Sequence, residues 1–288
     1  MSFGRIPDSN QGQAPYGQPY AGPQTQQTQY QQTQYQQPYN PNYAAQPGAG
    51  TATMDAGVAY SHDTFEKARR VSITKAYGEM TLGLLVTAAV AIVTQVTGAL
   101  YAFLAVTGGL GWILLAVAQV GLAIFLGARI MKISTGTARV MFYVYAALMG
   151  FTLSSIFMVY DLGSIGIVLL LCAGFFFALT MLGLTTKVDM LKAGPILFVG
   201  LIVLIVSQLL VVWLFPSDGA LQLIAAIGVV LFAGMTVYDA QSTRAIFRQY
   251  QHEGPEMVQK VSILCALNLY LDFVNMFLYL LQLFGNRD

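Results

Sequence analysis

The chain has 288 residues, of which 56% are apolar and only 9% are charged, and its mean hydropathy is +0.60. A soluble domain averages about 25% charged residues, so this composition cannot keep a globular surface wet. The formal net charge of +1, from 14 basic and 13 acidic side chains, excludes a polybasic nucleic-acid binder.

The first fifty residues stand apart from the rest. They hold thirteen Gln and six Tyr but only two charges, Arg5 and Asp8, and Thr28-Gln-Tyr-Gln-Gln recurs at once as Thr33-Gln-Tyr-Gln-Gln. Such a segment cannot bury enough apolar surface to offset its ordering entropy. Residues 1–62 are therefore expected to form a disordered cytoplasmic tail, followed by a membrane domain over 63–288. The tail lacks the apolar h-region of a signal peptide. A solvated spacer is the simplest role for it. Gln/Tyr repeats are also adhesive, so self-association or a partner of unknown identity is the alternative.

Downstream, charge disappears in long runs: 80–128, 140–160, 162–186, 193–217 and 219–238. A helix needs about 20 apolar residues to cross a bilayer. The first run is twice that length and is broken at Thr107-Gly-Gly-Leu-Gly, so it holds two crossings. Seven spans are predicted, at about 77–100, 108–128, 140–159, 164–184, 193–214, 221–239 (with an extension to Phe247 left open) and 261–284. The fold class is all-α. Cys172 and Cys265 both lie in apolar runs, as small core residues rather than a disulfide framework.

Lysine and arginine placement orients the bundle. Arg5, Lys67, Arg69, Arg70 and Lys75 precede the first span; Arg129, Lys132 and Arg139 lie between spans two and three; Lys187 and Lys192 between four and five; Arg244, Arg248 and Lys260 between six and seven. Thirteen of the fourteen basic residues thus share one side, and Arg287 is the exception. Seven spans with the N-terminus in the cytoplasm and the C-terminus outside account for it. A re-entrant last segment would instead bring Arg287 inside.

An ionisable residue deep in a span costs about 2.5–3.5 kcal/mol on insertion scales, so the few present are informative. Asp272 sits in the middle of Leu269-Tyr-Leu-Asp-Phe-Val-Asn-Met-Phe, and Asp239 in Val237-Tyr-Asp-Ala-Gln. Spans six and seven are consecutive and antiparallel. If Ala245-Ile246-Phe247 still lie in the membrane, the two carboxyls reach similar depth and face each other. Asn268, Asn275 and Tyr238 are the candidate polar neighbours. The alternatives are a helix-packing hydrogen bond for Asp272 and an ion pair with Arg244 or Arg248 for Asp239. Glu79 reads as an interfacial residue near Lys75, and Arg129 as a positive-inside anchor or a latch on one aspartate.

Several enzyme classes lack their residues. His62 and His252 lie outside the spans, so Ser154 and Ser155 have no base within the membrane. There is no His-Glu-x-x-His zinc site and no Gly-x-x-x-x-Gly-Lys phosphate loop. Intramembrane aspartyl proteases also use two aspartates, one of them in a Tyr-Asp pair. Their second aspartate follows Gly-x-Gly, whereas Tyr270-Leu271 stand before Asp272. No enzyme activity and no cofactor are expected.

At these residues the chain resembles the transmembrane Bax inhibitor motif family, over about residues 69–286. The pieces that carry the likeness are Val237-Tyr-Asp-Ala-Gln, Ala266-Leu-Asn-Leu-Tyr-Leu-Asp-Phe-Val-Asn-Met-Phe-Leu, Gly150-Phe-Thr-Leu-Ser-Ser-Ile-Phe, Met181-Leu-Gly-Leu-Thr-Thr-Lys-Val-Asp-Met and Met80-Thr-Leu-Gly-Leu-Leu-Val-Thr-Ala-Ala. The resemblance implies seven helices with the last one central. It also implies a pH-sensitive calcium leak controlled by an aspartate pair matching Asp239 and Asp272. A basic latch from span two would fall on Arg129. The acidic residue that some members carry earlier in span two is absent, and Gln119 is the nearest polar residue.

Physical chemistry points the same way. Two carboxyls within hydrogen-bonding distance cannot both ionise cheaply, so they share a proton. The protonated pair ties spans six and seven together; the ionised pair repels or binds a divalent cation weakly through hard oxygens. The expected partners are the lipid bilayer and calcium or another cation, with no nucleic acid, in a bacterial plasma membrane. A proton-coupled secondary transporter built on the same aspartates and a non-conducting membrane scaffold are the competing functions.

Overall fold

A computed structural model describes residues 50–214, 216–250 and 252–287, with side chains described from residue 73 onward. The tail expected at 1–62 lies outside the described residues up to residue 49. The described residues are built into helices. In chain order these are α1 (Gly50–Thr97), α2 (Ala99–Thr107), α3 (Gly109–Arg129), α4 (Thr135–Leu153), α5 (Leu162–Thr185), α6 (Gly194–Leu214), α7 (Asp218–Tyr250) and α8 (Pro255–Phe284). Short 3₁₀ segments, Ser154–Met158 and Met190–Ala193, extend α4 and lead into α6.

Seven of these segments are long and apolar enough to cross a membrane: Ile73–Thr97, Gly109–Arg129, Thr135–Met158, Leu162–Thr185, Met190–Leu214, Asp218–Tyr250 and Pro255–Phe284. Large apolar side chains stand exposed all around the bundle, among them Val106, Leu170, Ile196 and Val230. In water such a surface would aggregate; facing lipid it is the expected exterior. The protein is an integral membrane protein of the all-α class.

Local chemistry sets where the chain turns. Gly98 and Gly108 take positive φ, 66° and 58°, a region open to glycine at little cost. The break after Gly98 departs from the sequence expectation, because Val96-Thr97-Gly98-Ala99-Leu100 reads as unbroken apolar sequence. The nine-residue α2 between the two glycines therefore replaces the end of the first predicted span. At the opposite end of the bundle Ser134 caps α4, its hydroxyl accepting from the Thr137 N–H at 3.2 Å. Asp161 caps α5 the same way, accepting from the Ser164 N–H at 3.0 Å.

The last helix is the core. Of the most apolar window of α8, 72% is buried, against 6 to 33% for the other spans. Tyr270, Leu269, Met276 and Leu281 in α8 are essentially inaccessible. α8 is one continuous helix, so the last segment crosses rather than re-enters. Its exit is tied to the α4–α5 connection: Arg287 bridges Tyr160 in antiparallel fashion, Asp161 N–H donates to the Asn286 carbonyl at 3.3 Å, and Asn286 N–H donates to the Ser164 hydroxyl at 3.0 Å. Arg287 also approaches Asp218 at 4.0 Å. The isolated basic residue thus sits at the end of the bundle away from the basic connections, as seven crossings require.

α7 runs well past the boundary near Asp239, through buried Phe247 to Tyr250. That extension puts Asp239 about 16 Å from the end of its helix at 1.5 Å per residue. Here α7 meets α5 very closely. A Cβ on Gly183 would lie 2.8 Å from both the Ala240 Cβ and the Val237 carbonyl oxygen, so only glycine lets the two helices approach this far.

Candidate functional site: a buried acidic pair between α7 and α8

Thr236, Asp239, Ala240, Thr243 and Phe247 form the buried stripe of α7 at helical spacing. On α8, Cys265, Asn268 and Asp272 recur at three- and four-residue intervals and meet that stripe. The carboxyls of Asp239 and Asp272 lie within hydrogen-bonding range of each other, and the Asn268 side chain reaches Asp239. Asp239 is 7% exposed and Asp272 1%. Asp272 Oδ2 is enclosed with no hydrogen-bond partner, an arrangement that is costly for a full carboxylate.

Two further helices close the site. Tyr77 of α1 brings its hydroxyl to the neighbourhood of Asp239, Asp272 and the Cys265 thiol, beside Thr180 of α5. The Tyr77 and Thr180 hydroxyls are both buried, and neither makes a hydrogen bond of good geometry. Thr243 stands against the Cys265 thiol. The result is a small polar cluster drawn from four helices and sealed by apolar side chains. Tyr77, Thr180, Thr243 and Cys265 are members that the sequence reading does not assign to it. Helical spacing alone could have placed Thr243 one turn from Asp239 and Cys265 two turns from Asp272; Tyr77 and Thr180 arrive only through tertiary packing.

Other candidates fall elsewhere. Tyr238 turns away from the pair, its ring packing on Gly194 at the start of α6; neighbours in a helix point about 100° apart, so it cannot share the direction of Asp239. The Asn275 amide donates to the Leu271 carbonyl of its own helix at 2.8 Å. Arg129 ends α3 in an exposed position, and among the described residues no ion pair joins it to either aspartate. Arg244 donates to the Leu184 carbonyl of α5, and among the described residues no ion pair joins Asp239 to Arg244 or Arg248. Gln119 ties α3 to α4, donating to the Leu148 carbonyl at 3.0 Å and the Thr152 hydroxyl at 2.6 Å.

Glu79 is paired with Arg139 of α4 at 2.7 Å rather than with Lys75, and accepts from the Tyr143 hydroxyl at 2.6 Å. Deeper between the same helices, Thr87 Oγ1 donates to the Ala146 carbonyl at 2.9 Å and lies 2.6 Å from the Tyr270 hydroxyl. These bonds fix α1 and α4 against the central helix. Among the described residues no group of three or more His, Cys, Asp or Glu side chains is placed to hold a metal ion. The hard oxygens on offer to a cation are those of Asp239, Asp272 and Asn268.

A seven-helix integral membrane protein that encloses an acidic pair between its central helix and the helix before it is the class this fold and site define. The family model described as "Inhibitor of apoptosis-promoting Bax1" matches residues 69–288, and the chain belongs to that Bax inhibitor family. Among its relatives is the inner membrane protein YbhL of Escherichia coli strain K12, 41% identical over 215 residues that cover 75% of this chain and 91% of that protein. An uncharacterized protein of Borreliella burgdorferi is 36% identical over the same shares. Another, from Rickettsia prowazekii, is 35% identical over 225 residues, 78% of this chain and 93% of the relative.

Proposed function

We propose that the protein is a passive, pH-modulated cation leak in a bacterial inner membrane, with its N-terminus in the cytoplasm and calcium as its leading ion. The observation that carries this reading is the buried contact between the Asp239 and Asp272 carboxyls, with one Asp272 oxygen unsatisfied. With one shared proton the contact is a hydrogen bond that clamps α7 to α8. Without it, two charges about 4 Å apart repel by about 4 kcal/mol at an effective dielectric near 20. That approaches the ~5.5 kcal/mol that carries a two-state equilibrium from one extreme to the other.

The two carboxyls and the Asn268 amide supply fewer oxygens than the six to eight that calcium prefers. Weak binding and release suit a leak better than storage. The experiment is calcium flux into liposomes containing only the purified protein, with and without an imposed pH gradient. A leak carries calcium down its own gradient whenever the lumen and bath share the permissive pH. Uphill calcium movement driven by the pH gradient establishes the proton-coupled transporter instead, and absence of flux at every pH establishes the scaffold.

A further inference from the structure

An apolar crevice of about 890 Å³ opens between α1 and α5, beside the 3₁₀ segment that ends α4, and reaches Phe273, Val274 and Phe277 of the central helix. Small residues face it from both walls, Ala88 and Ala91 on α1 and Gly166 and Ala173 on α5. Small residues usually let membrane helices close on each other; here they leave a gap. The crevice is continuous with the lipid-facing surface, since Leu85, Ile92, Leu169 and Leu170 belong both to its lining and to the exposed apolar belt.

Its dimensions select the occupant. From Leu162 to Ala173 the α5 wall is about 17 Å long at 1.5 Å per residue, close to the ~15 Å of hydrocarbon in one leaflet. It starts at the bundle end that carries Asp161 and Arg287, and Gln95, one of its few polar residues, stands at that same end. A single hydrocarbon chain entering from the leaflet matches that length, and the walls offer it almost no polar group.

We infer that this crevice is a binding site for one acyl chain of a bilayer phospholipid from the leaflet opposite the basic connections. The chain lies against α8 at Phe273 and Val274, the residues that follow Asp272, so it completes the packing of the helix that carries that member of the acidic pair. The inference does not depend on the ion that the protein conducts.

Native mass spectrometry of the full chain, purified from membranes in a mild detergent, tests it. A Cβ on Gly166 meets no atom within 4 Å, and neither does one on Gly174, which lies on the same helix outside the crevice. Gly166→Leu therefore projects its bulk from an unobstructed Cβ on the crevice wall, and Gly174→Leu adds the same bulk elsewhere. Wild type and Gly174→Leu are expected to retain bound phospholipid and Gly166→Leu to lose it, with thermal unfolding in detergent confirming that all three are folded. Ala173→Phe fills the deep end and serves as the second variant if Gly166→Leu does not fold. Equal phospholipid retention in wild type and a folded filling variant overturns the inference, as does a wild type that carries detergent alone.

Discussion

Gly183→Ala is the smallest change that presses on the acidic pair without touching it. The new methyl carbon would sit 2.8 Å from the Ala240 Cβ and from the Val237 carbonyl oxygen, against ordinary carbon contacts of about 3.5–4.0 Å. Neither obstacle can rotate away, because one is backbone and the other is a Cβ. α7 must shift by more than half an ångström, and Asp239 lies between the two obstructing residues. Overpacking of this kind costs about 1–3 kcal/mol, which lowers Tm by several degrees for a domain of this size. Gly174→Ala, with open space around its Cβ, should hold or gain stability through helix propensity, by up to ~1 kcal/mol. Thermal unfolding of both variants in the same detergent is the assay, with the pH profile of ion flux as a second readout that only Gly183→Ala should move. If the two alanines have the same effect on Tm, the close α5–α7 crossing is not what holds Asp239 in place.

Removing either partner of the Glu79–Arg139 pair should destabilise the contact between α1 and α4, and Arg139→Gln should cost about 1–3 kcal/mol because it leaves a carboxylate whose side chain is only 13% exposed without its counter-charge, held by the Tyr143 hydroxyl. A double-mutant cycle with Glu79→Gln reads their coupling, and additive losses would deny it. Tyr270→Phe should cost about 1 kcal/mol in thermal or denaturant unfolding, since Thr87 keeps its bond to the Ala146 carbonyl; a loss several times larger would mean that Tyr270 supports more than this bond. Asp161 carries a carboxyl held below the ordinary aspartate range by hydrogen bonds from the Ser164 side chain and then the Ser164 backbone. Its stabilisation is therefore complete above about pH 4, the ordinary aspartate value, and fades as pH falls through the lowered value in the folded state. The Tm deficit of Asp161→Ala should shrink on acidification, and a deficit that grows would contradict the cap.

Hydropathy suffices to find all seven crossings: charge-free runs of bilayer length, which have little use outside a membrane, give six, and the seventh is apolar enough despite Asp272. The alternation of basic connections also places Arg287 at the far end, where Asp218 and Tyr160 meet it. The depth of Asp239 is less legible: Thr243, Arg244 and Arg248 make the second half of α7 look like a loop, whereas burial of Thr243 and Phe247 and the bonds of Gln241 and Arg244 to the α5–α6 side keep it in the bundle. Glu79 reads beside Lys75 because a sequence shows only near neighbours, while its partner Arg139 lies sixty residues on. For the same reason the sequence cannot assign Tyr77 and Thr180 to the acidic cluster. Tyr238 is a different kind of miss, since helical geometry alone says that it and Asp239 cannot face the same way.

The central claim is that Asp239 and Asp272 act as one titrating unit that controls ion flow. Calcium flux in proteoliposomes across a range of pH, for wild type, Asp239→Asn, Asp272→Asn and the double variant, tests it most directly. Asparagine keeps the shape and a hydrogen-bonding group but removes the like-charge repulsion. Either single substitution should flatten the pH profile, Asp272→Asn more severely because it is deeper and its Oδ2 has no other partner. The double variant should be little worse than the worse single one. Single variants that keep the wild-type profile, or effects that simply add, would contradict a gate in which the two carboxyls share a proton.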